Sequence, residues 1–230
     1  MSLEPSVHEK EVEVQSGETV LPGFLGVPEG AKAIVLFAHG SGSSRFSSRN
    51  RFVAQVLQEG GIATLLFDLL TEQEHRIDER TGELRFDIPL LGRRLTGAID
   101  WSSDQPALHD MDLGLFGAST GAAAALIAAT ERPERVRAVV SRGGRPDLAG
   151  DALEKVRAPV LLIVGGNDQP VISMNREAAT QMQVEHELGI VEGATHLFEE
   201  PGTLDEAALL AQVWFRQHLL KESQPPPAGE

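Results

Sequence analysis

The sequence predicts a single-domain α/β fold, in which a mostly parallel central sheet carries helices on both faces and an antiparallel hairpin at its N-terminal edge. Three observations predict it. Short apolar runs recur along the chain: "AIVLFA" at 33–38, "ATLLFD" at 63–68, "DLGLFG" at 112–117, "VRAVVS" at 136–141 and "APVLLIVG" at 158–165. Their continuous apolar character, rich in β-branched residues, is that of strands buried on both faces. Between and after them lie stretches of helical length and patterning at 48–59, 89–103, 120–131, 171–182 and 203–220. Strands alternating with helices build a parallel sheet through right-handed crossovers. Ahead of these, "KEVEVQ" at 10–15 and "TVLPGFLGVP" at 19–28 alternate as a partly exposed hairpin would.

With 230 residues, one core is expected, spanning residues 1–220, and the polar, proline-rich "KESQPPPAGE" at 221–230 reads as a disordered tail. The formal charge of −14 argues against nucleic acid or an anionic membrane surface as partner and leaves small molecules. No cysteine is present, which excludes disulfides, zinc–thiolate sites and a thiol nucleophile. The opening "MSLEPSVHEKEVEVQ" lacks the apolar stretch of a secretory signal. No run approaches the roughly 20 apolar residues of a membrane helix. The expectation is a cytoplasmic protein.

Open parallel sheets bind ligands at the carboxyl ends of their strands, so the residues just after each apolar run are the ones to inspect. After the 112–117 run, Gly117-Ala118-Ser119-Thr120-Gly121 fits G-x-S-x-G, a sharp strand-to-helix turn that displays the serine hydroxyl. Ala122–Ala125 allow the following helix to lie close against the sheet. A serine hydroxyl needs an imidazole to take its proton and a carboxylate to orient that imidazole. Asp168 lies 49 positions after Ser119, beyond the last strong strand, and His196 follows 28 positions later in "GATHLF". Asp147 is the rival acid, and after Pro146 it reads better as a helix N-cap. The oxyanion hole calls for two backbone N–H groups. Thr120 supplies one, and the loop "His39-Gly40-Ser41-Gly42" supplies the other from Ser41, with Gly42 second. His39 itself is expected to be a structural hydrogen-bonding residue.

Together "FAHGSGSSRFSSRN", "GLFGASTGAAAAL", "VGGNDQPV" and "GATHLFEEPGTL" resemble the α/β-hydrolase superfamily and, within it, the dienelactone-hydrolase-like group. The resemblance spans residues 33–218 and implies Ser119 as nucleophile, Asp168 as acid and His196 as base. The sequence departs from the group where Ser119 replaces its usual cysteine nucleophile, so a general ester or thioester is the expected substrate rather than a dienelactone. The expected function is a serine hydrolase that forms an acyl-enzyme on Ser119, with no metal or cofactor and a small-molecule ester as partner. A non-catalytic relative that binds a ligand, or an acyltransferase or peptidase using the same three residues, remains the alternative.

Five arginines, Arg45, Arg49, Arg85, Arg142 and Arg145, fall on loops near the expected site. Arg45 and Arg142 are the candidates to hold a carboxylate or phosphate on the substrate; the competing expectation is pairing with the many nearby acids. The 68–88 segment is long for a connection and is placed to cover part of the site.

Overall fold

In the computed structural model, residues 7–220 are described; residues 1–6 and the expected tail at 221–230 lie outside them. Among the described residues the chain runs β1 (Val7–Ser16), β2 (Thr19–Pro28), β3 (Ala33–Ala38), α1 (Ser48–Glu59), β4 (Ala63–Phe67), α2 (Glu72–Thr81), α3 (Ile88–Asp104), β5 (Asp112–Ala118) and α4 (Thr120–Glu131). It continues through β6 (Val136–Arg142), a short α5 (Ala152–Lys155), β7 (Val160–Gly165), α6 (Gln169–Gln181), β8 (His186–Val191) and α7 (Thr203–Leu219). The strands form one eight-stranded sheet in the order β1-β2-β4-β3-β5-β6-β7-β8. The β1–β2 hairpin joins antiparallel to β4, and every later neighbour is parallel. No helix among the described residues is long and apolar enough to cross a membrane.

Period-two alternation divides the core. Ile34 and Leu36 of β3, Leu113 and Leu115 of β5, and Val160 and Leu162 of β7 face one layer with α3 and α4. Val35 and Phe37, Phe116, Leu161 and Ile163 face the other, with α1 and α7. Both faces are covered, which is why these strands read as unbroken apolar runs. The small residues Ala122–Ala125 are fully buried and let α4 approach the sheet.

Two elements differ from expectation. The edge strand β8, "HELGIV", has no strand signal in the sequence: its outer edge is unpaired and all its residues but Val191 are exposed or half-buried, so it carries no continuous apolar run. The 68–88 connection contains α2. Thr71 opens it with a capping box, its hydroxyl accepting from the Glu74 N–H at 3.2 Å while its own N–H donates to Glu74 Oε2 at 2.7 Å. That T-x-x-E signal stood in the sequence.

Aligned register brings the carboxyl ends of β3, β5 and β6 to one edge of the sheet, with Ala38 opposite Gly117 and Ala118 opposite Arg142. His39 ties that edge across β4. The Leu69 N–H donates to His39 Nε2 at 3.0 Å, so the ring proton resides on Nδ1, which lies 3.0 Å from the Gly40 carbonyl. Burial holds the His39 pKa below its ordinary 6.5, although the Gly40 hydrogen bond and the Asp68 charge oppose the shift.

Two outcomes follow. A Cβ on Gly114 would lie 2.6 Å from Phe215 Cε1, so Gly114→Ala should lower unfolding free energy by about 1–3 kcal/mol in urea titration. Adding Phe215→Leu should recover part of that loss, a non-additive cycle. For His39, the unfolded chain binds a proton that the folded chain refuses. The stability it contributes is therefore full above pH 6.5 and is lost as pH falls toward its lowered folded value. Urea midpoints compared at about pH 7.5 and 5.5 should fall less on acidification in His39→Gln than in the parent.

Candidate active site

At the end of β5 the chain turns through Ser119 with φ 51° and ψ −121°, a conformation rarely taken by a residue with a Cβ. The flanking glycines are required by close approach. A Cβ on Gly121 would sit 2.7 Å from the His39 carbonyl oxygen, and one on Gly117 would sit 2.6 Å from the Ala122 nitrogen. The surrounding backbone holds the turn. The Ser119 N–H donates to the Arg142 carbonyl at 3.3 Å, and the Ser119 carbonyl accepts from the N–H groups of Ala122 at 3.1 Å and Arg145 at 3.0 Å. The end of β6 and the loop that follows it, "SRGGR" at 141–145, thus act as a second wall of the turn.

The other two candidates meet on loops stitched to each other. The Asn167 N–H donates to the Ala194 carbonyl at 2.9 Å, and Asn167 Nδ2 donates to the Gly193 carbonyl at 2.8 Å. Gly165 permits this approach, since a Cβ there would lie 2.5 Å from the Ala194 oxygen. His196 Nδ1 sits 2.7 Å from Asp168 Oδ2; Asp168 is 13% exposed and His196 41%. With Nδ1 facing a carboxylate, Nε2 is the nitrogen free to exchange a proton elsewhere. Glu200 braces this loop, accepting the Thr195 N–H at 3.0 Å and the Thr195 hydroxyl at 2.7 Å, and these hydrogen bonds lower its pKa. Phe198, with φ 56° and a buried ring, is a second strained residue two positions from His196.

Ser119 and His196 line one cavity of about 250 Å³, together with Gly40, Ser41, Asn50 and Arg142. No hydrogen bond joins Ser119 Oγ to His196 among the described residues. Such bonds often tighten only around a substrate. Thr120 opens α4, so its N–H has no acceptor within the helix. Ser41 shares the Ser119 cavity. Gly42 does not: its φ of 69° turns the chain, and it lines a neighbouring cavity of about 360 Å³ instead. The loop of Gly40, Ser41 and Ser43 borders both cavities, and α2 contributes Glu72, His75 and Asp78 to the wall of the second.

The arginines divide sharply. Arg45, expected to contact substrate, is instead bound to Asp68 through its guanidinium, while its N–H donates to the same carboxylate at 2.7 Å. Its guanidinium also packs 4.3 Å from the Phe46 ring centroid, and it lies outside the Ser119 cavity because Asp68 holds it beside the second one. Arg85 is tied to buried Asp78 at 2.7 Å. Asp147 is likewise no N-cap: the fork of Arg145 takes both its oxygens, at 2.9 and 2.7 Å, within a 3-10 turn at Pro146–Ala149. Arg142 alone of the two nominated arginines faces Ser119. Asn50, Thr195, Phe198 and Glu200 escaped sequence reasoning. Asn50 stood inside "FSSRN" beyond β3, the sheet edge where a site was sought, whereas nothing in the sequence marks Phe198 for a positive φ.

The arrangement has the parts for covalent acyl transfer: a displayed hydroxyl, an imidazole oriented by a carboxylate, and backbone N–H groups at a helix start. Comparison with known proteins agrees with the fold. A crystal structure of a dienelactone hydrolase from Anabaena variabilis is 59% identical, covers 93% of this chain and 99% of its own, and superposes with a TM-score of 0.91. Est1E from Butyrivibrio proteoclasticus, 15% identical over 92% of this chain and 99% of its own with a TM-score of 0.76, shares the fold. Two relatives from strains of Mycobacterium tuberculosis, provisionally named phosphoribosyl transferases, are 54% identical over 218 residues, 95% of this chain and 48% of theirs. The chain thus spans about half the length of the curated relatives it matches. The dienelactone hydrolase family model matches residues 21–220, nearly the whole sheet with every candidate residue on it, and the chain belongs to that family.

Proposed function

We propose that the protein is a serine hydrolase that cleaves a small carboxylic ester or thioester. The observation that carries this reading is the 2.7 Å contact between His196 and Asp168 at the rim of the cavity that Ser119 shares. Ser119 Oγ attacks the substrate carbonyl carbon while His196 Nε2 takes its proton, and Asp168 stabilises the imidazolium through Nδ1–H. The N–H groups of Thr120 and Ser41 receive the oxyanion. Collapse breaks the bond to the alcohol or thiol, which leaves with the proton from His196. Water, deprotonated by His196, then attacks the acyl-Ser119 carbonyl and releases the acid. Every step uses side chains or backbone of this chain and a small-molecule substrate.

A fluorophosphonate should attach to Ser119, located by mass spectrometry of the digested protein. Absence of an adduct on folded protein would favour a ligand-binding role without catalysis. Ser119→Ala should lower kcat for p-nitrophenyl acetate by at least about 10⁴-fold. Asp168→Asn should lower it by about 10³- to 10⁴-fold while leaving the protein folded, since the imidazole loses the partner that sets its tautomer. Added alcohols or amines that divert the acyl group more efficiently than water does would instead identify an acyltransferase.

A further inference from the structure

The cavity holding Ser119 is electrically unlike the rest of this acidic chain. Arg142, the last residue of β6, is 6% exposed, yet no carboxylate among the described residues lies within ion-pair distance of it. Its Nη2–H donates to Asn50 Oδ1 at 3.2 Å, whereas its buried Nε has no acceptor. By contrast Arg85, Arg94 and Arg145 each have a carboxylate oxygen at 2.7 Å. A buried guanidinium without a counter-charge is costly, and the cost is met only when an anion arrives. Burial and the nearby positive charge of Arg49 push its pKa down to about 10, so it remains a cation at neutral pH.

Arg49, at the start of α1, lines the same cavity. It forms a solvent-exposed ion pair with Glu199 at 3.6 Å, longer than a hydrogen bond and weak enough to open to a better acceptor. The cavity wall contains no aspartate or glutamate and adds the hydroxyl residues Ser41, Ser43 and Ser47. Two guanidinium groups and three hydroxyls offer more donors than a planar carboxylate can accept, and suit an anion with three terminal oxygens. The Phe198 ring, its centroid 5.6 Å from the Arg142 guanidinium, packs against the side chain without neutralising it.

We propose that Arg142, Arg49 and Asn50 form a phosphate subsite beside Ser119, so that the substrate is an ester or thioester also bearing a phosphomonoester group. This rests on the hydrolase reading for the reaction, but the subsite is measurable without turnover. Phenyl phosphate and benzoate should be titrated calorimetrically into Ser119→Ala protein at equal ionic strength. Phenyl phosphate should bind saturably and at least about tenfold more tightly than benzoate. Adding Arg142→Met should remove that binding, and Arg142→Lys, which keeps charge but loses the fork, should weaken it by about tenfold. Should Arg142→Met fail to fold, Arg49→Met must produce the weakening. With Ser119 intact, kcat/KM for 4-acetoxyphenyl phosphate should exceed that for 4-acetoxybenzamide by about tenfold, a ratio that falls toward one in Arg142→Met. No saturable binding of phenyl phosphate, equal binding of benzoate, or binding that survives loss of Arg142 overturns the subsite. Phosphate binding without a fluorophosphonate adduct on Ser119 would leave the subsite standing and sink the hydrolase.

Discussion

The backbone turn at Ser119 is the constraint on which the rest of the molecule is organised. A serine held at φ 51° is disfavoured on its own, and it persists because hydrogen bonds from three directions over-determine it. Arg142 accepts from it on one side, Arg145 donates to it on the other, and Ala122 closes the first turn of α4 beneath it. Two of these partners, Arg142 and Arg145, come from the segment that ends β6 and follows it, so the turn is held only when β5 and β6 are side by side. The glycines at 117 and 121 and the alanines of α4 make that assembly possible by leaving no Cβ or only a small side chain where backbones approach.

The same end of β6 that holds the turn also carries Arg142 into the cavity, which links scaffold to specificity. Three other arginines around the site are neutralised: Arg45 against Asp68, Arg85 against Asp78, Arg145 against Asp147. These pairs anchor loops around the site. Arg142, buried and without a carboxylate in a chain with a net charge of −14, contrasts with these three. Under the proposed subsite, substrate binding completes a charge balance that folding leaves open. The second cavity lies across the Gly40–Ser43 loop and is walled in part by α2.

On the His196 side, precision comes from a loop braced by ordinary interactions. Glu200 holds Thr195, Asn167 holds Gly193, and Gly165 permits the two loops to touch. The imidazole is left partly exposed at the cavity rim, with Asp168 shielded behind it.

Local chemistry was enough to announce much of this. Buried parallel strands must be apolar along their length, so five of the eight strands announced themselves, and a strained turn needs glycines, so Ser119 stood out inside G-x-S-x-G. Chain order after strand ends nominated Asp168 and His196. The edge strand β8 is invisible because half-exposed strands carry no continuous apolar signal, whereas the T-x-x-E capping box at Thr71 is a legible start for α2. Which arginine would be free was undecidable from the chain alone, because pairing is settled by distances between segments far apart in sequence, such as Arg45 with Asp68 or Arg142 with Asn50. The sequence by itself determined the order of strands and helices and the candidate reacting side chains, which depend on residue type and spacing. Only the tertiary structure decided which charges are cancelled and which one faces the serine, because that depends on what packing leaves within reach.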